Sequence, residues 1–105
     1  MPAAGRSLPY TGVVGKSVSA DVAEHFSVPY GIYVKKVNTD SPAMYAGIQA
    51  ADVITEINGE SVGSMSEYED ILRKYQEGDT LKIKVRRKSI GGYADVEMKL
   101  VMGAR

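Results

Sequence analysis

Apolar positions recur along this chain with two different periods, and the switches between them mark out its elements. In Thr80–Lys88, Leu81, Ile83 and Val85 alternate with Lys82, Lys84 and Arg86, the period of a half-buried strand. After a Gly91-Gly92 turn, Val96, Met98 and Leu100 alternate with Asp95, Glu97 and Lys99 in the same way. Tyr10–Ser17, with its β-branched valines, and Ile32–Val37, with Ile32, Val34 and Val37 inward, read as two further short strands. Pro29-Tyr30-Gly31 reads as the turn before the second of these. Tyr68, Leu72 and Tyr75 recur instead at spacings of four and three, one stripe of a helix that faces the core. Ser64 or Ser66 caps that helix, which is expected to run to about Gln76 before Glu77-Gly78-Asp79 stops it. Val22, Ala23 and Phe26 predict a helical turn over Ala20–Phe26.

The densest signals lie between Ser41 and Val62. Ser41 is a good N-cap, and Pro42 sits where the first helical residue tolerates a missing N–H. Ala43 and Ala46 let this short helix approach a neighbour closely, and Gly47 ends it as a left-handed cap. Val53, Ile54 and Ile57 then mark a buried strand, and Asn58-Gly59 reverses the chain. With antiparallel pairing dominant and no internal repeat, these elements should form an α+β, mainly β fold. Its expected shape is a small, partly open β-barrel of about five to six strands capped by two helices.

A chain of 105 residues builds one domain with a single core. Residues 1–8 read as a linker, 9–102 as the domain and 103–105 as a tail. Thirteen basic and thirteen acidic residues balance, so charge points to neither nucleic acid nor an anionic membrane as partner. The basic face of Lys82, Lys84, Arg86 and Lys88 reads as the solvated side of an antiparallel strand, with Asp95 and Glu97 in reach on its neighbour. Without cysteine there are no disulfides and no thiolate metal site. No apolar run approaches the roughly 20 residues of a membrane helix. The first residues lack the basic and apolar regions of a signal peptide and read as the edge of an excised domain.

Two enzyme-like motifs fail on inspection. Gly59-Glu60-Ser61-Val62-Gly63 fits the G-x-S-x-G nucleophile elbow, but that motif needs a histidine after the serine, and the only histidine is His25, upstream. Gly15-Lys16-Ser17 matches the tail of a phosphate-binding loop, whose required first glycine would fall at Tyr10. A lone His25 makes no metal site, and no cofactor is called for.

Ser41, Pro42, Ala43, Ala46 and Gly47, followed by Asp52, Val53, Ile54, Ile57, Asn58, Gly59 and Val62, resemble the PDZ domain. The likeness is to its circularly permuted bacterial form in HtrA/Deg-type trypsin-like serine proteases. Tyr10-Thr11-Gly12-Val13 and Gly78-Asp79 through Arg86 extend it over roughly residues 8 to 102. One departure stands out: the family usually has Gly-Asp where this chain has Ala51-Asp52. If that position takes a positive φ, Ala51 is strained by about 1 kcal/mol.

The resemblance implies a groove between an edge strand and a helix that receives an extended peptide by strand addition. It places Tyr10, Thr11, Gly12 and Val13 on a loop whose backbone N–H groups bind a terminal carboxylate, with Val14 and Gly15 continuing along the groove and Arg6 as a further charge partner. Gly12 would let the backbone curl close to the anion without a Cβ clash. On the helix, the resemblance assigns Glu67, Ile71 and Lys74 to the groove, with Thr11, Val13 and Ile71 forming an apolar pocket for the last side chain. The other placement makes Ile71 a core residue and Glu67 and Lys74 solvated. Glu67 stands where many metazoan PDZ domains carry a histidine that selects Ser or Thr. The implied partners are peptides or unfolded protein C-termini and the parent's own N-terminal protease domain, in an extracytoplasmic setting. A structural or regulatory PDZ-like domain of another envelope protease or secretion scaffold, which docks onto its own partner and binds no free peptide, is the alternative.

Overall fold

The computed structural model describes residues 9–26 and 30–104. Among these residues, eight strands and three helices follow one another as β1 (Pro9–Tyr10), β2 (Val13–Val18), α1 (Ala20–Phe26), β3 (Gly31–Val37), α2 (Pro42–Ala46) and β4 (Val53–Ile57), then β5 (Glu60–Ser61), α3 (Met65–Leu72), β6 (Thr80–Ser89), β7 (Gly92–Val101) and β8 (Gly103–Ala104). An open antiparallel sheet runs in the order β2-β3-β4-β6-β7, with β5 folded back on β4. Its two edge strands are β2 and β7; α3 packs beside β2 and α2 beside β7.

Residues 103–104, expected as tail, instead pair as β8 with β1, Pro9 opposite Ala104 and Tyr10 opposite Gly103. Because β1 leads into β2 and β8 continues β7, this pairing joins the two ends of the sheet at one corner. That accounts for the partly barrel-like closure. The expected linker, residues 1–8, lies outside the described residues.

The strand periodicity is realised as expected. Leu81, Ile83, Val85 and Leu100 are fully or nearly fully buried, and they meet Ile32, Val34, Ile54 and Ile57 from the central strands. Tyr68, Ile71 and Leu72 close this core from α3. Across β6 and β7 the polar faces pair, with Arg86 Nη1 3.6 Å from Asp95 Oδ1, while Lys84 Nζ lies 3.7 Å from Glu56 Oε2 on β4. These are exposed pairs, worth little stability each.

Helix α2 forms as its sequence demands. Ser41 Oγ accepts the Met44 N–H at 3.2 Å, Pro42 occupies the first turn, and Gly47 takes φ 101°. Gly47 N–H and Ile48 N–H both return to Ala43 O, closing the helix end. Helix α3 ends at Leu72, short of Gln76. Lys74 and Tyr75 N–H groups bond three residues back, to Ile71 O and Leu72 O, which tightens the chain out of α-helix. Asp79 Oδ2 then takes the Gln76 N–H at 2.8 Å, fixing the turn that leads to β6.

Ala51 does take a positive φ, 77°, so the residue in place of glycine is held in the left-handed region. Its N–H donates to Val34 O at 2.7 Å and Asp52 N–H to Gln49 O at 3.1 Å, which hold the turn in place.

Candidate functional site

The free edge of β2 and the two residues before it form the most strongly prepared feature of the surface. Ala43 N–H donates to Thr11 O at 2.8 Å, and Asn38 N–H donates to Gly12 O at 2.9 Å. Both carbonyls of the loop are therefore turned into the protein. In a planar trans peptide the following N–H points the opposite way, so Gly12 N–H and Val13 N–H are both directed outward. Gly12 reaches this geometry with φ 86°, a conformation that costs a glycine nothing and a β-branched residue dearly. The Asn38–Gly12 bond also makes the neighbouring Val13–Val37 pair the non-hydrogen-bonded kind, leaving Val13 N–H and C=O on the open side of the ladder. The outcome is a small nest of donors at the start of an unpaired strand edge, suited to an anion followed by an extended chain.

The opposite wall is α3. Ser64 is its cap, with Oγ accepting Glu67 N–H at 3.2 Å. Met65 N–H donates to Ser17 Oγ at 2.8 Å, which ties the start of the helix to β2. Met65 also lies over Gly15: a Cβ built on Gly15 would be 3.5 Å from Met65 Sδ and only 2.7 Å from Ile32 Cγ2. At the other end, Tyr68 reaches the loop itself, sharing a 2.6 Å hydrogen bond between its hydroxyl and Thr11 Oγ1. Both residues are 4 % exposed. Burial pushes the Tyr68 phenol up to about 12, with the Thr11 hydrogen bond acting in the opposite sense.

The expected groove residues Glu67 and Ile71 lie four apart on α3 and Lys74 just beyond its end, and each has a partner away from β2. Glu67 Oε1 accepts Gly63 N–H at 2.9 Å and completes a capping arrangement at the helix start. Lys74 Nζ pairs with Glu60 of β5 at 2.9 Å, and Ile71 is buried in the core. Met65 and Tyr68 supply the side that meets β2 and the loop. The signal for them was present, since Met65, Tyr68 and Leu72 recur at spacings of three and four beside the Ser64 cap.

On the strand side, Thr11, Gly12, Val13 and Gly15 are brought together, while Val14 points to solvent at 42 % exposure. Tyr10 pairs with Gly103 through its backbone, and Arg6 lies outside the described residues. The elbow-like motif is not a strand-to-helix turn: Ser61 is exposed in β5, opposite Glu56, and Gly63 lies against the ring of Tyr30. Among the described residues there is no group of three or more His, Cys, Asp or Glu that could hold a metal.

A sequence model of the PDZ domain matches residues 33–87, more than half of the chain. The chain belongs to the PDZ domain family. A probable periplasmic serine endoprotease, DegP-like, from Hahella chejuensis is 34% identical over 93 residues, a stretch covering 87% of this chain and 19% of that protein. This PDZ domain thus spans about a fifth of that relative's length. A crystal structure of the HtrA3 PDZ domain bound to a phage-derived ligand has the same fold, with a TM-score of 0.77 at 23% identity over 95% of this chain and 90% of that one. The HtrA-type protease AlgW with a decapeptide superposes with a TM-score of 0.78 at 25% identity, covering 94% of this chain and 30% of that one. The mainly β architecture is therefore that of HtrA PDZ domains.

Proposed function

We propose that this PDZ domain captures the free C-terminus of an extended peptide by adding it as a strand to β2. The terminal carboxylate is held by the Gly12 and Val13 N–H groups, with Thr11 and Tyr10 completing the loop. The observation that carries this reading is the inward direction of the Thr11 and Gly12 carbonyls, which aims the next two N–H groups at the open edge. The peptide-bound HtrA-type relatives support it. The setting that fits is a trypsin-like serine protease of the cell envelope, where the domain selects unfolded proteins for degradation, in keeping with the periplasmic relatives. Affinity should be micromolar, about −8 kcal/mol, because a short strand buries little area after its own ordering.

Titration with hydrophobic-ended decapeptides, as free acids and as amides, tests the reading. Free acids should bind at least tenfold tighter, since a lost charge-assisted contact is worth about 1.5–3 kcal/mol. Equal affinity of the two forms rules out carboxylate capture. Gly12→Val should weaken the free-acid complex while the circular dichroism spectrum remains that of a folded domain.

A second reading draws on the Ser17–Met65 hydrogen bond, which ties β2 directly to α3 at the far end of the groove. On that reading the domain is a structural or regulatory one of another envelope protease or secretion scaffold, which docks onto its own partner and binds no free peptide. Absence of binding to any peptide, together with retained folding, selects this reading.

A further inference from the structure

The Tyr68 side chain spans from α3 to the loop, ending at Thr11 Oγ1. A carboxylate held by Gly12 and Val13 N–H places the side chain of the last peptide residue in that same interval, between the loop and the helix. From this overlap we infer that Tyr68 sets the size of the terminal pocket and restricts this domain to C-termini that end in a small residue, Ala or Val. The inference rests on the strand-addition reading and names the peptide class it would serve.

Three features make the restriction stiff. The phenol is anchored at its tip, and both hydroxyls of the pair are buried, so moving the ring leaves two polar groups without their partner. Thr11 is itself anchored, because its carbonyl is held by the Ala43 N–H of the buried α2 start. The strand side of the interval carries Thr11, Val13 and Gly15, with Tyr68 bonded to the first and Met65 lying over the last. On this inference a small terminal side chain sits over Val13 with the Thr11–Tyr68 pair intact. Leu or Phe requires the ring to leave its site. The same geometry predicts less discrimination two residues earlier in the peptide, where Gly15 faces the flexible Met65 thioether and not an anchored ring.

Four fluorescent decapeptides identical except for a final Ala, Val, Leu or Phe, each as free acid and amide, give the test by fluorescence anisotropy. The wild-type domain should bind the Ala- and Val-ended acids roughly tenfold or more tighter than the Phe-ended acid. Tyr68→Leu, which shortens the side chain and keeps the site apolar, should raise affinity for the Phe-ended acid and reverse that order. Tyr68→Phe keeps the ring and should keep the wild-type order, even if it lowers the melting temperature. A general loss of stability would not change the ranking among peptides. A wild-type domain that prefers Phe over Val overturns the inference, as does a folded Tyr68→Leu domain with an unchanged ranking. An acid-over-amide advantage accompanying either result leaves strand addition standing and removes only the role of Tyr68. If no peptide binds in either form, strand addition fails and this inference with it. Should Tyr68→Leu not fold, Tyr68→Met serves the same comparison, and the wild-type ranking decides independently.

Discussion

Arg87 grips Asp52 in a two-pronged ion pair, Nε to Oδ1 at 2.9 Å and Nη2 to Oδ2 at 2.7 Å. Asp52 is 2 % exposed and stands at the entrance to β4; Arg87 reaches it from β6 and also donates to Gly47 O at 2.9 Å. A second donor, Gln49 N–H, completes the carboxylate at 2.9 Å. One contact thus ties the end of α2, the turn before β4 and the β6 strand. Arg87→Ala should cost about 3 kcal/mol in urea unfolding, because it strands a buried carboxylate. Arg87→Lys should recover only part of that, since an ammonium cannot make the forked contact.

Directly before this carboxylate, Ala51 sits at φ 77°. Its methyl group buys no packing there, as the residue is exposed. Ala51→Gly should stabilise the domain by up to about 1 kcal/mol, the left-handed strain relieved less the extra freedom of the unfolded chain. A melting temperature higher by at most about 4–8 °C is the expected reading. No rise, or a fall, would mean that the strain at Ala51 does not exceed the entropy a glycine adds to the unfolded chain.

Two glycines of positive φ differ in the steric cost that a side chain would add. A Cβ on Gly31 would lie 2.3 Å from Ile54 O, a backbone atom of the neighbouring strand that cannot yield. Gly31→Ala should therefore cost about 3 kcal/mol or more by forcing β3 from β4. Gly59 has φ 83° but open space around it, so Gly59→Ala should cost only about 1 kcal/mol. Chemical denaturation of the two variants side by side checks the contrast.

The buried Tyr68 phenol predicts an alkaline limit. Its value is raised from 10.0 to about 12, chiefly by burial, so the native state holds its proton where the unfolded chain has lost it. This contribution to stability is complete below pH 10 and is lost as pH rises from about 10 to 12, in total of order 2–3 kcal/mol. Wild type should lose more stability than Tyr68→Phe over that interval, and parallel curves for the two proteins would count against a buried phenol.

Much of the fold was legible in local patterns. The alternation in Thr80–Lys88 and around Val96–Leu100 specified which faces are buried, because a period of two leaves no choice once one face is apolar. Ser41, Pro42, Gly47 and Asn58-Gly59 act on their own neighbouring backbone, so their effects followed from residue type. Even the strain at Ala51 was foreseeable from the residue the family prefers there. The loop at Thr11–Val13 could be located by resemblance, but its donor direction depends on bonds from Ala43 and Asn38, roughly thirty residues away in sequence.

Local patterns were therefore enough for the set of elements, their buried faces and the family to which they belong. Which residues of α3 meet β2 was settled by packing. Helical periodicity identifies the buried stripe of Tyr68 and Leu72 but treats its two flanks alike, and the family resemblance pointed to Glu67, Ile71 and Lys74. The choice was made by contacts distant in sequence, Ser17 with Met65, Thr11 with Tyr68 and Glu60 with Lys74. The pairing of Gly103–Ala104 with Pro9–Tyr10 was hidden for the same reason: two-residue strands have too little pattern to be read, and they exist because the ends of the sheet meet.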